Sequence, residues 1–267
     1  MKAGKSIKPE FSDEIIEGLL RRSRRRVDHA LKLIRRPEAA LGIVQSRLGE
    51  LLVALGADGL VLVHYLPHGN ELDSVIARLR SLMDPVEDPL SVKDVGAEVD
   101  RYLAGEVNAL RQRVDLSLVT TAFQKRVLRK LQEIPRGAVV SYQTLSALAG
   151  APKGARAVGN ALHNNPVPIY VPCHRVIAAD GGLGGYGGGE ARKRQLLRSE
   201  GFALDPSDAL LSERTVWGHR DTRTYCRKGC PSMTRADRKR IVLYADPGQA
   251  DRAGMRPCKI CRPEAET

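Results

Sequence analysis

The spacing of apolar residues changes several times along the chain and predicts an alternation of helices and strands. Residues 12–36 carry apolar side chains at helical intervals and predict a helix. Short apolar runs separated by glycine-containing turns then predict three strands, at 41–44, 51–54 and 60–63. Helical spacing returns at 71–83 and 92–104, and residues 105–119 form a connection. The first half of the chain is therefore expected to fold as a small sheet with helices.

The second half begins with further helical segments. The predicted ranges are 121–134 with Thr120 as its cap, 141–150, 154–164 and 190–200. The second and third helices are short and joined by a tight turn with glycine and proline, which is typical of a helix-turn-helix motif. Small residues such as Ala155 and Gly159 on the third helix favour close approach to DNA in the minor groove. They suit a tightly packed core helix equally well.

The composition indicates a basic protein with ordinary cores. Of the 267 residues, 42% are hydrophobic, and the formal net charge is +12. Such a charge favours a polyanionic partner, because each neutralised phosphate releases counterions. We find no apolar leader and no run of about eighteen apolar residues. We therefore expect a cytoplasmic protein without a membrane partner, associated with the nucleoid when it is bound to DNA. Separately, we expect the protein to be a monomer.

Part of this charge lies in the first predicted helix. Residues 1–36 hold 11 basic and 5 acidic side chains, a net charge of +6. A contact with the DNA backbone is one interpretation. A solvated helix face packed on the core is the other, and the sequence does not decide between them.

One cysteine has the context of a nucleophile. Cys173 follows an apolar run in the segment Pro172-Cys173-His174-Arg175, and no other cysteine precedes residue 226. A thiolate is an intrinsically strong nucleophile, and a neighbouring histidine oriented by an acid can generate it. A buried structural cysteine is the alternative for an isolated Cys-His pair.

The segment 120–201 resembles the O6-alkylguanine-DNA alkyltransferases, whose acceptor cysteine lies in Pro-Cys-His-Arg-Val. The resemblance implies an α/β plus α architecture. A basic helical extension at 1–37 would precede a ribonuclease-H-like α/β domain at 38–118. A helix-turn-helix, winged-helix-like catalytic domain would follow at 119–205.

The resemblance also implies roles for residues of this sequence. Cys173 corresponds to the alkyl acceptor, His174 to the base that acts on it through a water, and Glu200 to the carboxylate that orients the histidine. Asn165 corresponds to the asparagine that fixes the turn before the acceptor. Lys193 corresponds to a lysine that supports the site.

Other residues would contact the DNA. Tyr142 corresponds to the tyrosine that helps to rotate the nucleotide out and hydrogen-bonds the guanine, and Arg156 to the finger that fills the vacated place in the stack. Tyr186 corresponds to a pocket wall beside a glycine-rich loop. The implied reaction is stoichiometric repair of O6-alkylguanine, a single-turnover methylated-DNA–protein-cysteine methyltransferase activity. A protein that binds alkylated DNA without reacting is the competing interpretation.

A second group of cysteines lies near the C-terminus. Cys226 and Cys230 form a C-x3-C pair, and Cys258 and Cys261 form a C-x2-C pair that is separated from the first by 27 residues. Four thiols at such spacing predict a tetrahedral zinc site, with two disulfides as the alternative. We expect one Zn²⁺ ion and no organic cofactor. Residues 213–267 hold 13 basic and 7 acidic side chains, again a net charge of +6.

These motifs resemble the zinc domain of Ada-type proteins, here in the range 212–267. The resemblance implies that Cys226 is a zinc ligand and a candidate second acceptor, for the methyl group of a DNA methylphosphotriester. A module that only docks on DNA is the alternative for Cys226. An Ada-like sensor, in which methylation raises DNA affinity, is a third function for the chain.

Overall fold

The structure is a computed structural model. It describes residues 17–18, 20–24, 36–66, 71–204 and 214–263. Residues 17, 18 and 20–24 are helical, and the rest of the predicted helix at 12–36 lies outside the described residues.

The first sheet confirms the three predicted strands and adds a fourth. The strands are β1 (Glu38–Val44), β2 (Leu51–Gly56), β3 (Gly59–Tyr65) and β4 (Asp84–Glu87), in the order β3-β2-β1-β4. The first three are antiparallel, and β4 runs parallel to β1. Helix α1 (Glu71–Leu82) is confirmed. A short helix that was not predicted, α2 (Pro89–Val92), precedes α3 (Asp94–Leu103), which confirms the helix predicted at 92–104. Pro89 starts a separate short helix, capped by Asp88.

The second half of the chain contains the four predicted helices with small changes at their ends. They are α4 (Ala122–Gln132), α5 (Tyr142–Leu148), α6 (Ala155–His163) and α7 (Glu190–Ser199). The predicted cap of α4 is wrong by one residue, because the hydroxyl of Thr121, not Thr120, accepts the Gln124 N–H. Ser141 caps α5 in the same way. Both caps satisfy amide groups that the helix itself leaves unpaired.

A second sheet joins the part of the chain that contains α4 to α7 to the C-terminal residues. Its strands are β5 (Ala138–Ser141), β6 (Val176–Ile177), β7 (Val216–His219), β8 (Thr224–Cys226), β9 (Ile241–Tyr244) and β10 (Arg256–Pro257). Their order is β10-β8-β7-β9-β5-β6, so β9 lies between β7 and β5. Two helices, α8 (Pro231–Thr234) and α9 (Pro247–Arg252), flank the sheet. The two segments therefore share one continuous sheet.

Apolar packing follows this arrangement. One core connects the first sheet with α4, α5, α6 and the buried run that ends at Cys173. A second core connects Val139 and Ile177 with the C-terminal cysteines. Within the residues that the structure describes, no helix has the length and apolar character needed to cross a membrane.

Candidate functional site

A buried, tightly turned segment fixes the position of Cys173. The run from Val167 to Val171 is buried, and Ile169 adopts a positive φ of 76° that β-branched residues rarely take. The Asn165 side chain holds this turn, since its amide donates to the Val171 carbonyl at 2.9 Å. The same amide nitrogen lies 3.3 Å from the Sγ of Cys173. The segment therefore delivers the thiol to a defined place at the start of a 3₁₀ turn, Cys173–Arg175.

The next residue forms a fully buried acid–base pair. His174 Nε2 lies 2.6 Å from Glu200 Oε1, and neither side chain is exposed. Burial lowers the pKa of His174, although the Glu200 carboxylate opposes the shift, so the imidazole is neutral at pH 7. With Nε2–H donated to the carboxylate, the lone pair of Nδ1 is available. Nδ1 is buried and has no hydrogen-bond partner among the described residues, which suits a proton acceptor.

Three further groups keep Glu200 ionised and oriented. The Tyr102 hydroxyl donates to Oε1, Arg175 Nε donates to both oxygens at 3.1 Å, and the Gly137 N–H donates to Oε2 at 3.1 Å. Burial alone would raise the pKa of Glu200, but His174 and Arg175 outweigh it and lower the pKa to about 2. The carboxylate is therefore a fixed negative charge beside the imidazole.

The thiol itself rests in its neutral form. Burial raises the pKa of Cys173, against the hydrogen bond from Asn165 and the nearby charge of Lys193. Lys193 is completely buried and donates to the Val176 carbonyl at 2.6 Å and to that of Leu183. Burial lowers the pKa of Lys193 to about 8. The lysine thus ties the glycine-rich loop to the strand that follows the acceptor.

Two adjoining cavities meet at Cys173. One, of about 480 Å³, extends towards the first sheet, and the other, of about 530 Å³, extends along α5 and α6. Tyr186 lines both cavities, and Tyr142 lines the second, where its hydroxyl lies 3.3 Å from the Gly185 carbonyl. Burial raises the pKa values of both phenols. They are therefore neutral hydrogen-bond donors at pH 7.

The residues predicted to approach DNA lie on α6. Arg156 is exposed, and Ala155 and Gly159 are partly exposed. A Cβ placed on Gly159 would lie 3.9 Å from the Tyr142 ring, which is an ordinary van der Waals contact, so packing between α5 and α6 does not require a glycine at this position. Among the predicted site residues, Cys173, His174, Glu200 and Lys193 are buried, and the half-buried Asn165 lies beside the thiol. Tyr142 and Tyr186 form the cavity wall.

Several residues of the site carried no recognised signal in the sequence. Tyr102, on α3, and Gly137 reach Glu200 from distant parts of the chain. The Tyr65 hydroxyl, at the end of β3, lies 2.7 Å from that of Tyr186, and Arg192 stacks on the Tyr65 ring. Arg175 belongs to the motif around Cys173, so its place in the site could have been predicted from the sequence.

The C-terminal cysteines form a metal centre. The Sγ atoms of Cys226, Cys230, Cys258 and Cys261 all lie within 4.8 Å of one another. A tetrahedral Zn²⁺ with bonds of about 2.3 Å needs sulfur atoms roughly 3.8 Å apart. All four thiols are free, and thiolates are the soft ligands that zinc prefers. The arrangement therefore fits one zinc ion, which supplies folding energy to a segment that has little core of its own.

Comparisons with known families match both parts of the chain. The profile described as "6-O-methylguanine DNA methyltransferase, DNA binding domain" matches residues 122–202. The profile described as "Metal binding domain of Ada" matches residues 202–264. The first match ends where the second begins, within the region that leads into the shared sheet.

Relatives match a longer part of the chain than the first profile does. The methylated-DNA–protein-cysteine methyltransferase of Mycobacterium bovis is 44% identical over 146 residues, which are 52% of this chain and 87% of the relative. The human protein of the same name is 54% identical over 84 residues, 31% of this chain and 41% of the relative. A crystal structure of the Mycobacterium tuberculosis O6-methylguanine methyltransferase superposes with a TM-score of 0.50 and 37% identity, covering 61% of this chain and 92% of that one. The chain belongs to the methylated-DNA–protein-cysteine methyltransferase family.

Proposed function

We propose that this protein repairs O6-alkylguanine in DNA by transferring the alkyl group to Cys173 in a single turnover. One observation carries the proposal: the Sγ of Cys173 lies where two cavities meet, one residue before a buried His174–Glu200 pair. The names of the similar proteins support the substrate class. The family's activity and this geometry agree.

The lesion must leave the base stack before it can react. An alkyl group on guanine O6 is out of reach inside a duplex, and unstacking costs a few kcal/mol. We assign to Arg156, which is exposed on α6, the role of filling the vacated position in the stack. Tyr142 and Tyr186 then line the cavity that receives the base. Their neutral hydroxyl groups can donate hydrogen bonds to the guanine.

The transfer step needs a thiolate. His174 accepts the thiol proton on Nδ1 through a bridging water, and Glu200 stabilises the resulting imidazolium. Sγ attacks the alkyl carbon, and the bond between that carbon and O6 breaks with its electron pair remaining on the guanine. Tyr142 donates a proton to the departing base and regains one from the histidine. The products are guanine and a thioether on Cys173, which has no route back to the thiol.

The finer architecture fits the same proposal. The antiparallel β1–β3 with β4 parallel to β1 supports a ribonuclease-H-like scaffold at 38–118. Helices α5 and α6 serve as the helix-turn-helix of the catalytic domain at 119–205, and α6 approaches the minor groove. The module at 212–267 binds DNA. The protein acts as a monomer in the cytoplasm and associates with the nucleoid on binding.

Replacement of the acceptor tests the reaction. Cys173→Ala should abolish alkyl transfer from a duplex that carries O6-methylguanine and should leave duplex binding largely intact. Mass mapping of the wild-type protein should find the methyl group on the Cys173 peptide. Transfer that persists in the variant would contradict the proposal. A wild-type protein that binds the lesion and never becomes methylated would instead be a recognition protein.

We also propose Cys226 as an acceptor for the methyl group of DNA methylphosphotriesters. Cys226 lines a surface cavity of about 380 Å³ together with the exposed Arg235, which suits an approaching phosphate. Mass mapping after incubation with a methylphosphotriester duplex should find a methyl group on the Cys226 peptide. An unmodified peptide would leave the module as a DNA-docking unit, and unchanged DNA affinity after methylation would exclude a sensor.

A further inference from the structure

A basic cleft lies between the catalytic helices and the zinc module. It has a volume of about 400 Å³ and is bordered on one side by Ser141 and Thr144 at the start of α5, and on the other by Lys228 and Arg238 of the zinc module. Its floor is apolar and is formed by strand residues of the shared sheet such as Val139 and Leu243. Polar rims over an apolar floor match a DNA strand, in which charged phosphates alternate with deoxyribose rings.

The two sides of the cleft are held together. The Thr144 hydroxyl is within hydrogen-bond distance of the carbonyls of Arg238, at 3.1 Å, and Ile241, at 3.3 Å. Strands β5 and β9 pair directly below, with Val140 opposite Val242. The zinc module is therefore fixed against α5. A DNA molecule that binds to the zinc module is therefore also brought next to the catalytic half.

The cleft and the reaction cavity lie on the same helix turn. Tyr142, the first residue of α5, lines the cavity that contains Cys173. Its neighbours Ser141 and Thr144 line the basic cleft. A strand that presents a nucleotide to the Cys173 cavity thus continues past α5 towards Lys228 and Arg238.

The cations of the cleft are free to bind an anion. Lys228 and Arg238 are both exposed, and within the described chain neither side chain has a hydrogen-bond or ion-pair partner. By contrast, nearby Arg240 is paired with Asp221. Asp180, the one acidic residue lining the cleft, already accepts the Gly182 N–H at 3.0 Å. The balance of charge in the cleft favours phosphate.

We propose that Lys228 and Arg238 bind phosphates of the same DNA duplex whose lesion enters the Cys173 cavity. Helices α5 and α6 and the zinc module then form one continuous DNA-binding surface, and the module enlarges the footprint of the repair site. The proposal rests on the proposed function in assuming that α5 and α6 face DNA. It adds which residues of the module take part and that both parts bind one duplex.

The salt dependence of binding tests the surface. The variant Lys228→Ala/Arg238→Ala is compared with Arg80→Ala/Lys93→Ala, which removes the same charge from exposed positions of the N-terminal part. Affinity for an undamaged duplex is measured by fluorescence anisotropy over a range of salt concentrations. Loss of two phosphate contacts should reduce the slope of log K against log salt by about 2, whereas the control should keep the wild-type slope.

Each outcome has one interpretation. If the double variant at Lys228 and Arg238 has the same slope of log K against log salt as the control, the proposed DNA-binding surface is wrong, even if methyl transfer proceeds normally. A reduced slope in a protein that never accepts a methyl group would support the surface and contradict the repair function. The circular dichroism spectrum and Tm of each variant report whether it has kept its fold, and they do not depend on methyl transfer.

A measurement on the wild-type protein covers the case of a misfolded variant. Lysines are acetylated with and without the undamaged duplex, and the modified peptides are quantified. DNA should protect Lys228 several-fold and leave Lys93 reactive. Equal acetylation of Lys228 in both samples would overturn the proposal.

Discussion

The reactivity of Cys173 depends on its neighbours because burial keeps the thiol protonated. The raised pKa of Cys173 means that few molecules hold a thiolate at neutral pH. His174 is neutral, and its Nδ1 has no partner among the described residues. The imidazole can therefore take the thiol proton during the reaction. A resting neutral thiol also resists oxidation, which benefits a protein that acts once.

Replacement of this base should slow the reaction most strongly at neutral pH. We expect His174→Gln to lower the rate of methyl transfer about 10²–10⁴-fold, because glutamine cannot accept the proton. The difference should narrow as alkaline pH ionises the thiol directly. Single-turnover rates with an O6-methylguanine duplex across this pH range provide the measurement. His219→Gln, in the second sheet away from Cys173, is the control, and an equal loss at every pH would contradict the role as a base.

The charge of Glu200 should make stability depend on pH. Its pKa falls from an ordinary 4.5 to about 2, so the ionised form stabilises the fold above about pH 4.5, and this stabilisation is lost as the pH falls towards 2. We expect Glu200→Gln to lower the free energy of unfolding by roughly 3 kcal/mol at pH 7 and by less under acid conditions. Urea unfolding at several pH values measures the difference.

The exposed Glu133, which pairs with Lys130 on the surface, offers a matched control. Glu133→Gln should change the stability little at any pH, since surface ion pairs contribute about 0–1 kcal/mol. A Glu200→Gln deficit that stays constant between neutral and acid pH would show that lost hydrogen bonds, not the charge, account for the effect.

At the scale of single elements, local patterns predicted the helices better than the strands. Caps and helical spacing placed α4 to α7 within about two residues. Strand β5 was missed, since Ala138–Ser141 is too short to show alternation and is defined by its partner β9, about a hundred residues later. The positive φ of Ile169 was equally out of reach, because packing around it, not its residue type, imposes the conformation.

The glycine-rich loop shows how one element shapes the cavity. A Cβ on Gly188 would lie 2.4 Å from the Tyr65 ring and 2.6 Å from the Tyr186 ring, whereas Gly187 has open space around it. We expect Gly188→Ala to displace the hydrogen-bonded tyrosine pair and to slow transfer from bulky O6-alkyl groups more than from methyl. Gly187→Ala should react like the wild type. The rates of transfer from methyl and benzyl lesions are measured for both variants. If Gly188→Ala and Gly187→Ala show the same ratio of the two rates, this role of the loop is contradicted.

At the scale of the whole molecule, the motif around Cys173 and the four-cysteine motif belong to segments that share one sheet. Cysteine spacing predicted the zinc site because its ligands lie in two local pairs. The continuous sheet was not predictable in the same way, since its β5–β9 pairing joins strands far apart in sequence. The Ala245 N–H donates to the Gly137 carbonyl at 2.9 Å, and Gly137 in turn donates to Glu200. The zinc module thus supports the loop that orients the Glu200 carboxylate.

Removal of zinc should consequently destabilise the catalytic sheet as well as the module. Small zinc modules gain about 10–16 kcal/mol from the metal, comparable to the entire stability of a domain. We expect chelation, or Cys258→Ser, to lower the Tm and to increase hydrogen exchange at Val139 and Val140 of β5. Ile260→Ser, at an exposed position between two ligands, should retain the wild-type exchange. If exchange increases within residues 214–263 alone, the two segments unfold independently, and the shared sheet does not couple them.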